Sequence, residues 1–345
     1  MPPHDVIAAE GIGAASLEPT RRVFITGALG FIGRALGERY RALGAEVRGV
    51  DLRAEEATGV IAGDLTRAGE WQEAMAGSDL VIHTAAVVSN AANLATQWRL
   101  NVMGTRLALD GAVSAGVRRF VHLSSIRAFS DLHYPDGADE RHPVRTDGSP
   151  YVDTKVASEQ VVLQAHAAGE IACTVIRPGD VYGPGSRPWT ILPLELIKAN
   201  RFALPAMGRG IFTPVYIDNL LDGIVAAAAR AGGSGQVFTL TDGVGVSCRD
   251  FFANYYRMLG RRGPICLPTP IAVSLTRGSA AVSRLSRQTS EVNAISMRYF
   301  TRTGTYSIAK ARRELGYEPG VDLGEGMRRT ESWLRDRGLI SGAVG

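Results

Sequence analysis

The stretch Thr26-Gly27-Ala28-Leu29-Gly30-Phe31-Ile32-Gly33 decides the fold predicted for this chain of 345 residues. Its glycines recur every third residue, between the apolar run 23–26 and the amphipathic run 31–43. A strand that leads through such a turn into a helix lets the first helical amides approach an anion closely. The spacing G-x-x-G-x-x-G is a sister of the dinucleotide-binding pattern G-x-G-x-x-G. We therefore predict a dinucleotide site at this turn.

Strands and helices alternate through the first half of the chain, as in a parallel sheet that helices cover on both faces. This rhythm is lost after residue 178. We therefore predict an α/β fold: a Rossmann-type doubly wound parallel sheet with a smaller C-terminal substrate-binding lobe. The strands are predicted over 23–26, 46–51, 60–64, 80–83, 119–125, 174–178 and 237–240. The predicted domains are a disordered tail at 1–20, a dinucleotide-binding domain at 21–178 with 214–232 returning to it, and the substrate-binding lobe at 179–213 and 233–345.

The composition is that of an ordinary globular protein, with 45% hydrophobic residues, 21% charged residues and a net charge of +4. The charge is uneven, because residues 261–345 hold 14 basic and 7 acidic side chains. This excess fits either a solvated arginine-rich face or attraction to an anionic substrate or membrane surface. The arginines are dispersed and lack interleaved stacking aromatics, so we expect no nucleic-acid partner.

The sequence gives little indication of a membrane span, a signal peptide or disulfide bonds. No run of about eighteen apolar residues is present, so no transmembrane segment is expected, although peripheral membrane contact by 265–290 stays open. Residues 1–20 lack the apolar stretch of a signal peptide. Cys173, Cys248 and Cys266 are too few and too widely spaced for a disulfide framework or a metal cluster. We expect a cytoplasmic protein without a metal site.

Tyr151 and Lys155 stand four residues apart, on one face of a helix that Ser149 and Pro150 are expected to start as N-cap and first helical residue. The chain has only three lysines, so a lysine at this position is informative. A tyrosine with an unperturbed pKa of about 10 is a poor base at neutral pH. The Lys155 cation and the helix N-terminus both favour phenolate, and we therefore expect a lowered pKa and a general-base role for Tyr151.

Asp51 ends the second predicted strand and can accept hydrogen bonds from the adenosine ribose while repelling a 2′-phosphate. This favours NAD over NADP. Arg34 and Arg53 lie close in sequence and could bind that phosphate, so NADP stays open. Asp64 and Leu65 follow the third strand and are expected beside the adenine or in an ordinary loop.

These motifs occur together in one known family. The chain resembles the extended short-chain dehydrogenase/reductases, which include sugar-nucleotide epimerases and dehydratases as well as 3β-hydroxysteroid and sterol-carboxylate dehydrogenases. The resemblance implies an NAD-dependent oxidoreductase with a small-molecule substrate, and a homodimer formed through the helices that carry Asn101 and Tyr151. It rests on the glycine turn at 26–33, Asp64, His83-Thr84-Ala85-Ala86, Asn101, Ser124-Ser125, Tyr151 with Lys155, and the segments 214–219 and 315–319.

The resemblance also implies roles for single residues. Ser125 orients the substrate oxygen, Tyr151 exchanges the proton and Lys155 also holds the nicotinamide ribose, so the implied catalytic residues are Ser125, Tyr151 and Lys155. His83 is expected to support the cofactor loop, and Asn101 is as often structural as catalytic. The implied cofactor-binding residues are Gly27, Leu29, Gly30, Phe31, Ile32, Gly33, Asp51, Leu52, Arg53, Asp64, Leu65, Thr84, Ala85, Ala86, Asn101, Tyr151, Lys155, Pro178 and Val181. The implied substrate-binding residues are Ser124, Ser125, Val87, Asp180 and Phe212.

Two positions bear on the branch of the family. Sugar-nucleotide members usually carry a diphosphate-binding arginine where this chain has Phe212, and often an asparagine where it has Asp180. An aromatic ring and a carboxylate at these places disfavour a diphosphate. Arg187, Arg201 or Arg209 could substitute for the missing cation. The pattern most similar to this one, including 181–218, 239–243 and 265–276, is that of the steroid and sterol dehydrogenase branch.

The leading hypothesis is an NAD-dependent dehydrogenase that oxidises a ring secondary alcohol, 3β-hydroxysteroid-like or otherwise apolar. The alternative is a sugar-nucleotide epimerase or dehydratase that returns the hydride to its substrate. An enzyme similar to dihydroflavonol reductase, working with NADPH, is third. A protein that binds a dinucleotide without catalysis is the contrasting class, because a fold does not fix a function.

Overall fold

The computed structural model describes residues 20–131, 136–275, 291 and 293–341. Seven strands form one sheet in the order β11-β6-β5-β4-β1-β2-β3, and each pair of neighbours runs parallel. The predicted doubly wound parallel sheet is therefore confirmed. Its strands are β1 (Arg22–Thr26), β2 (Glu46–Asp51), β3 (Val60–Ala62), β4 (Leu80–His83), β5 (Arg119–Leu123), β6 (Ala172–Pro178) and β11 (Val237–Leu240). The short strands outside it are β7 (Asp180–Tyr182), β8 (Ala203–Leu204), β9 (Ile211–Phe212), β10 (Pro214–Tyr216), β12 (Val246–Ser247) and β13 (Ile265–Cys266).

Helices cover both faces of the sheet, because connections between parallel strands must cross over one face or the other. A π-helical segment, Arg99–Gly104, joins two of these helices. The helices are α1 (Phe31–Ala42), α2 (Glu70–Glu73), α3 (Leu94–Trp98), α4 (Thr105–Ser114), α5 (Pro150–Ala167), α6 (Leu192–Lys198), α7 (Ile217–Ala229), α8 (Cys248–Met258), α9 (Ala294–Tyr299), α10 (Ala309–Leu315) and α11 (Leu323–Asp336).

Successive strand residues serve opposite faces of the sheet, which produces two apolar cores. Phe24 packs with Val81 and residues of α4 and α5 on one face. Its neighbour Ile25 packs with Ile82 and residues of α1 and α7 on the other. Burial on both faces explains why these strands read as continuous apolar runs in the sequence.

The strand order reverses between β1 and β4, because the chain builds outward from β1 in one direction and then from β4 in the other. Ligands of open parallel sheets bind at such a switch point, outside the carboxyl ends of the strands. The glycine turn follows β1 and the segment starting at Thr84 follows β4, so both lie at this place.

Two sequence predictions need correction. The boundary placed at residue 233 is wrong for Val237–Leu240, which we assigned to the lobe but which pairs with β6 as an edge strand of the central sheet. Ser149 is the N-cap residue of α5 and Pro150 begins the helix, as predicted, but the buried Ser149 hydroxyl has no hydrogen-bond partner and so makes no capping bond. The Asp153 carboxylate instead accepts the backbone N–H of Asp147, at 2.9 Å, from within the first turn. The rest of the domain division stays a prediction, and the tail predicted at 1–20 lies outside the described residues except for Thr20.

A transmembrane α-helix needs about 20 consecutive, mostly apolar residues. In the described parts of the chain, none of the helices has both the length and the apolar character for this.

Candidate active site

A cavity of about 820 Å³ opens at the carboxyl ends of the strands. Its volume is near the upper end of the range of about 300–1,000 Å³ that is typical of ligand sites. The cavity has two parts. The nucleotide half is formed by the glycine turn and the ends of β2, β3 and β4, and the substrate half by α6, residues 201–203 and residues 291–300. The segments after β5 and the start of α5 lie between them.

The glycine turn is bare because side chains have no room there. Gly27 has a φ of +68°, and a Cβ added to it would lie 2.8 Å from the Cα of Ala85. A Cβ on Gly33 would lie 2.2 Å from the carbonyl oxygen of Gly27. The turn therefore brings backbone amides at the start of α1 against the cavity with nothing in front of them, as a pyrophosphate requires.

Asp51 lies at the outer end of the nucleotide half, where two backbone hydrogen bonds hold its carboxylate in place. Its carboxylate accepts the backbone N–H of Leu29 at 2.9 Å and that of Leu52 at 2.7 Å. Arg34, one of the two arginines that left NADP open, forms a salt bridge with Glu55 at 2.7 Å. The other, Arg53, is exposed and does not line the cavity.

His83 supports the cavity from below. Its Nδ1 lies 2.7 Å from the Thr26 hydroxyl and its Nε2 lies 3.0 Å from that of Thr105. Burial, reinforced by the nearby Lys155 cation, lowers the pKa of His83 to about 3. The ring is therefore neutral at physiological pH, and its hydrogen bonds suit the supporting role that the sequence predicted.

Asn101 lies in the π-helical segment and does not line the cavity. Its side-chain carbonyl accepts the N–H of Val87 at 2.8 Å, and its amide group donates to the Val87 carbonyl and to the Thr154 hydroxyl, at 3.2 and 3.1 Å. The side chain is therefore fully engaged in joining the loop after β4 to α5. We conclude that Asn101 shapes the cavity wall and does not contact the cofactor, which corrects the prediction.

Tyr151 and Lys155 lie in the first turns of α5 and line the cavity. Lys155 donates from Nζ to the carbonyl oxygen of Leu123 at 2.7 Å, and its ammonium lies 6.0 Å from the centre of the Tyr151 ring. Burial lowers the pKa of Lys155 to about 8, although Glu159 acts against the shift. Ser125 lines the cavity beside Tyr151, and its hydroxyl favours the ionised form of the phenol and so acts to lower the Tyr151 pKa.

The pKa of Tyr151 corrects the prediction made from the sequence. Burial is the largest influence and raises that pKa, while the positive charge of Arg127 and the Ser125 hydroxyl act against it. The expectation of a pKa lowered by Lys155 is therefore wrong. The phenol form is the stable one here.

Ser124 also lines the cavity, but its hydroxyl is not free. It donates to Glu159, which is buried and forms a two-point salt bridge with Arg177, at 2.9 and 2.7 Å. This polar group sits under the end of β5 and α5. Because its hydroxyl is engaged by Glu159, Ser124 can contact a substrate only through the part of its surface that lines the cavity.

The substrate half is walled by apolar side chains from three segments. Trp189 and Tyr299 stack with their ring centres 5.5 Å apart. The opposite rim is joined to the nucleotide half by Glu291, whose carboxylate accepts the Ser89 hydroxyl at 2.6 Å and the Asn90 N–H at 2.8 Å. The apolar lining of this half consists of Pro188, Trp189, Leu192, Pro193, Leu196, Phe202, Ala203, Met297 and Phe300.

The two residues that decided the branch lie in different places. Phe212 does not line the cavity; it is fully buried behind Trp189, with ring centres 4.9 Å apart, so its predicted contact with substrate is wrong. Asp180 does line the cavity, but its carboxylate is buried and accepts the Tyr299 hydroxyl. Arg302, fully buried, lies 3.6 Å from the same carboxylate. Burial raises the pKa of Asp180.

Most of the remaining predicted residues line the cavity. Leu29 does not, although its backbone amide binds Asp51. The cofactor and substrate residues that do are Gly27, Gly30, Phe31, Ile32, Gly33, Asp51, Leu52, Asp64, Leu65, Thr84, Ala85, Ala86, Val87, Pro178 and Val181. The sequence analysis missed Arg127, Trp189, Glu291, Met297 and Tyr299, because these residues form no motif and meet only when the chain folds.

Across the parts of the chain that the structure describes, histidine, cysteine and carboxylate side chains do not come together in groups of three or more that could hold a metal ion.

The fold and this cavity define a dinucleotide-binding α/β protein with an adjoining apolar chamber. Residues 23–240 match the family described as "NAD dependent epimerase/dehydratase family", and the chain belongs to that family. The predicted resemblance to the extended short-chain dehydrogenase/reductases, with NAD as the cofactor of the family, is thereby confirmed.

Individual relatives agree with this. Over 318 residues the chain is 31% identical to "4-hydroxy-2-methyl-3-oxo-4-farnesyl-3,4-dihydroquinoline-1-oxide ketoreductase" of Stigmatella aurantiaca, covering 89% of this chain and 94% of that protein. It is 29% identical over 319 residues to "3 beta-hydroxysteroid dehydrogenase/Delta 5-->4-isomerase" of Mycobacterium tuberculosis, covering 86% of each. Among solved structures, DesIV (dTDP-glucose 4,6-dehydratase) from Streptomyces venezuelae with NAD bound has a TM-score of 0.75 at 23% identity, covering 93% of this chain and 99% of that one, which shows the shared fold.

Proposed function

We propose that this protein is an NAD-dependent oxidoreductase that interconverts a ring secondary alcohol and its ketone on an apolar, 3β-hydroxysteroid-like substrate. One observation carries the proposal: Tyr151 and Ser125 lie where the nucleotide half of the cavity meets a chamber walled by apolar side chains. A steroid or another fused-ring compound would bury its apolar faces there, each Å² contributing about 25 cal/mol. The names of the ketoreductase and steroid dehydrogenase relatives support this choice.

The residues of the nucleotide half fit NAD. Gly27, Gly30 and Gly33 leave room for the pyrophosphate, and Asp51 suits the adenosine ribose. With Arg34 bound to Glu55, the carboxylate of Asp51 favours NAD over NADP. When bound, NAD supplies the acceptor for the substrate's hydride in oxidation and, reduced, the donor in the reverse direction.

Side chains of the protein transfer the hydroxyl proton of the substrate. In oxidation, the Tyr151 phenol first releases its proton to solvent, and the resulting phenolate takes the hydroxyl proton of the substrate while Ser125 holds the substrate oxygen by a hydrogen bond. In reduction, the Tyr151 phenol returns that proton to the ketone oxygen. The raised pKa of Tyr151 keeps its phenol protonated in the protein alone, so the donor for ketone reduction is already in place. Lys155 would hold the nicotinamide ribose from the same helix.

Tyr151→Phe tests this function. With NAD and a 3β-hydroxysteroid, the wild type should form reduced nicotinamide steadily, which absorbance follows directly. The variant should lose about 10²- to 10⁴-fold of the rate, as expected when a general acid–base group is removed. Its NAD affinity should be unchanged. Turnover that survives the substitution would contradict the proposal.

A sugar-nucleotide epimerase is the second candidate, because Arg187 and Arg201 line the cavity and could bind a diphosphate. Arg187 is already engaged by Glu195 at 3.4 Å. NAD that stays bound through purification, together with conversion of a nucleotide sugar without net reduction of the cofactor, would favour this candidate.

We further propose a cytoplasmic homodimer. Apolar side chains are exposed along α3, the π-helical segment and α4, among them Trp98, Met103 and Val113, with exposed fractions of 42%, 52% and 37%. The cysteines at 173, 248 and 266 are free, which suits a reducing compartment. Light scattering should give the mass of a dimer, and Met103→Glu should shift it toward the monomer.

A further inference from the structure

Arg127 lies at the centre of the cavity although the sequence gave no reason to single it out. It belongs to the short turn Ile126–Phe129 directly after Ser125, and its backbone N–H donates to the Ser125 hydroxyl at 3.1 Å. Its guanidinium carbon lies 5.0 Å from the centre of the Tyr151 ring and 5.1 Å from that of Tyr299. A cation within about 6 Å of a tyrosine ring is attracted to it.

The guanidinium is held rigidly in this place. Nε donates to one oxygen of Asp131 at 3.0 Å and Nη2 to the other at 2.5 Å, so the pair is bidentate. Nη1 donates to the side chain of Asn90 at 3.0 Å. Arg127 and Asp131 are both buried. Such a planar fork fixes the position of the charge in a way that a single flexible ammonium does not.

The lysine of the motif is placed less favourably. The Lys155 ammonium lies 6.0 Å from the centre of the Tyr151 ring and donates to the carbonyl oxygen of Leu123. Burial lowers the pKa of Lys155 to about 8, so part of its charge is lost at mildly alkaline pH. The Arg127 guanidinium is closer to the ring centre and stays charged throughout.

We propose that Arg127 is a positioning residue for proton transfer, whose fixed positive charge stabilises the Tyr151 phenolate, the form that takes the substrate's proton in oxidation and that remains when the phenol protonates the ketone oxygen in reduction. The negative charge of Asp131 partly offsets that of Arg127 and so limits the stabilisation of the Tyr151 phenolate. The inference rests on the proposed function, because it takes Tyr151 to be the group that exchanges the proton.

Other groups also face Tyr151. Ser125, at the end of β5, supports the phenolate through its hydroxyl, and Lys155 faces the ring from α5. Asp131 and Asp180 oppose the phenolate with their negative charges. Burial is the largest influence and raises the Tyr151 pKa; among the groups that lower it, Arg127 comes first. Its removal should therefore raise that pKa further.

A titration of Tyr151 that needs no substrate tests the inference. The enzyme with NAD bound is labelled with ¹³C at the phenol carbon of tyrosine, and the Tyr151 resonance is assigned by its absence in Tyr151→Phe. Arg127→Met should raise the titration midpoint by about one pH unit or more, as expected for loss of an opposite charge within about 4–6 Å. Arg127→Lys should restore most of the shift. Asp131→Asn should lower the midpoint, because it removes an opposing negative charge.

Arg298→Met is the matched control. Arg298 also forms a salt bridge with a buried carboxylate, that of Asp147 at 2.8 Å, but its own side chain is 42% exposed. Water screens its charge, so the Tyr151 midpoint should stay where it is. A midpoint that Arg127→Met leaves unchanged would overturn the inference. So would Asp131→Asn and Arg127→Met moving the midpoint in the same direction, because a purely structural role predicts that result.

The pH dependence of turnover gives the second readout. The alkaline shift of the oxidation profile in Arg127→Met should match the shift in the titration, and Arg127→Lys should reverse it. A substrate screen without turnover counts against the proposed function alone, because the titration measures the Arg127 effect without any substrate. Should Arg127→Met not fold, the other two variants still decide the question: Arg127→Lys should keep the Tyr151 midpoint near that of the wild type, and Asp131→Asn should lower it.

Discussion

The two halves of the cavity are lined by different kinds of chemical group. The nucleotide half is centred on the backbone of the glycine turn, where contacts are so close that Gly33 could not carry even a methyl group. The substrate half is large apolar side chains from separate segments, with Trp189 and Tyr299 stacked at its wall. The first fits a cofactor common to a whole family, and the second is where we propose that a substrate particular to this chain binds. The comparison shows that the local chain encodes the shared chemistry, while packing between distant segments encodes the substrate.

Gly33→Ala should disrupt the nucleotide half with the largest effect. The new side chain would overlap the Gly27 carbonyl oxygen, which lies 2.2 Å from the added carbon. We expect the affinity for NAD to fall at least about 100-fold and the free energy of unfolding to fall by about 1–3 kcal/mol. Calorimetric titration with NAD and denaturant unfolding measure the two.

Gly320→Ala is the control for this experiment. A Cβ at Gly320 has no neighbour within 4 Å, and so the same chemical change should leave NAD affinity and stability unchanged. Equal losses in both variants would mean that glycine as such, and not the close approach at the turn, matters.

Trp189→Ala should weaken the substrate half and spare the other. It removes a large apolar surface from the chamber wall, and we expect KM for an apolar ring alcohol to rise about 10- to 100-fold, from a loss of about 1–3 kcal/mol of burial. The KM for NAD should not change. Steady-state kinetics with each substrate varied in turn separates the two constants.

Trp333→Ala serves as the matched variant, because Trp333 packs against the same core but does not line the cavity. Its loss should lower stability without changing either KM. If Trp333→Ala raised the KM for the alcohol as much as Trp189→Ala does, general loosening would explain both, and the apolar wall would not be a binding surface.

His83→Gln should have the smallest effect, and only below neutral pH. The folded pKa of about 3 lies below the unfolded value of about 6.5. Between these two values His83 is protonated in the unfolded chain but not in the folded one. The free energy of unfolding therefore falls as pH drops from about 6.5 toward 3, by about 1.4 kcal/mol per pH unit from this group. The variant should lose that part of the slope. Unfolding free energies at pH 7 and 5.5 give the slope, and an unchanged slope would contradict the prediction.

The sequence predicted what depends on local chemistry. The glycine turn, the parallel sheet and the placing of Tyr151 and Lys155 on one helix follow from spacing and periodicity alone. The Tyr151 pKa was predicted in the wrong direction, because spacing on a helix shows which charges are near but not how deeply the phenol is buried.

Residues that meet only through the fold could not be predicted. Arg127 reaches Tyr151 because a short turn after β5 sends its side chain back toward α5. Phe212 was taken for a substrate contact by comparison with relatives, but Trp189 stands between it and the cavity. Val237–Leu240 was assigned to the lobe because nothing local shows that the chain returns to the sheet.

That return has a consequence for how the protein is made. Residue Val175 of β6 pairs with Val237 of β11, and the whole of residues 179–236 lies between the two strands in the chain. A ribosome adds about 5–20 residues each second, so β6 has an open edge for several seconds during synthesis. An unpaired edge is a template for pairing with another chain. We expect truncated chains that end before residue 237 to aggregate, even though they contain every residue of the predicted dinucleotide-binding domain.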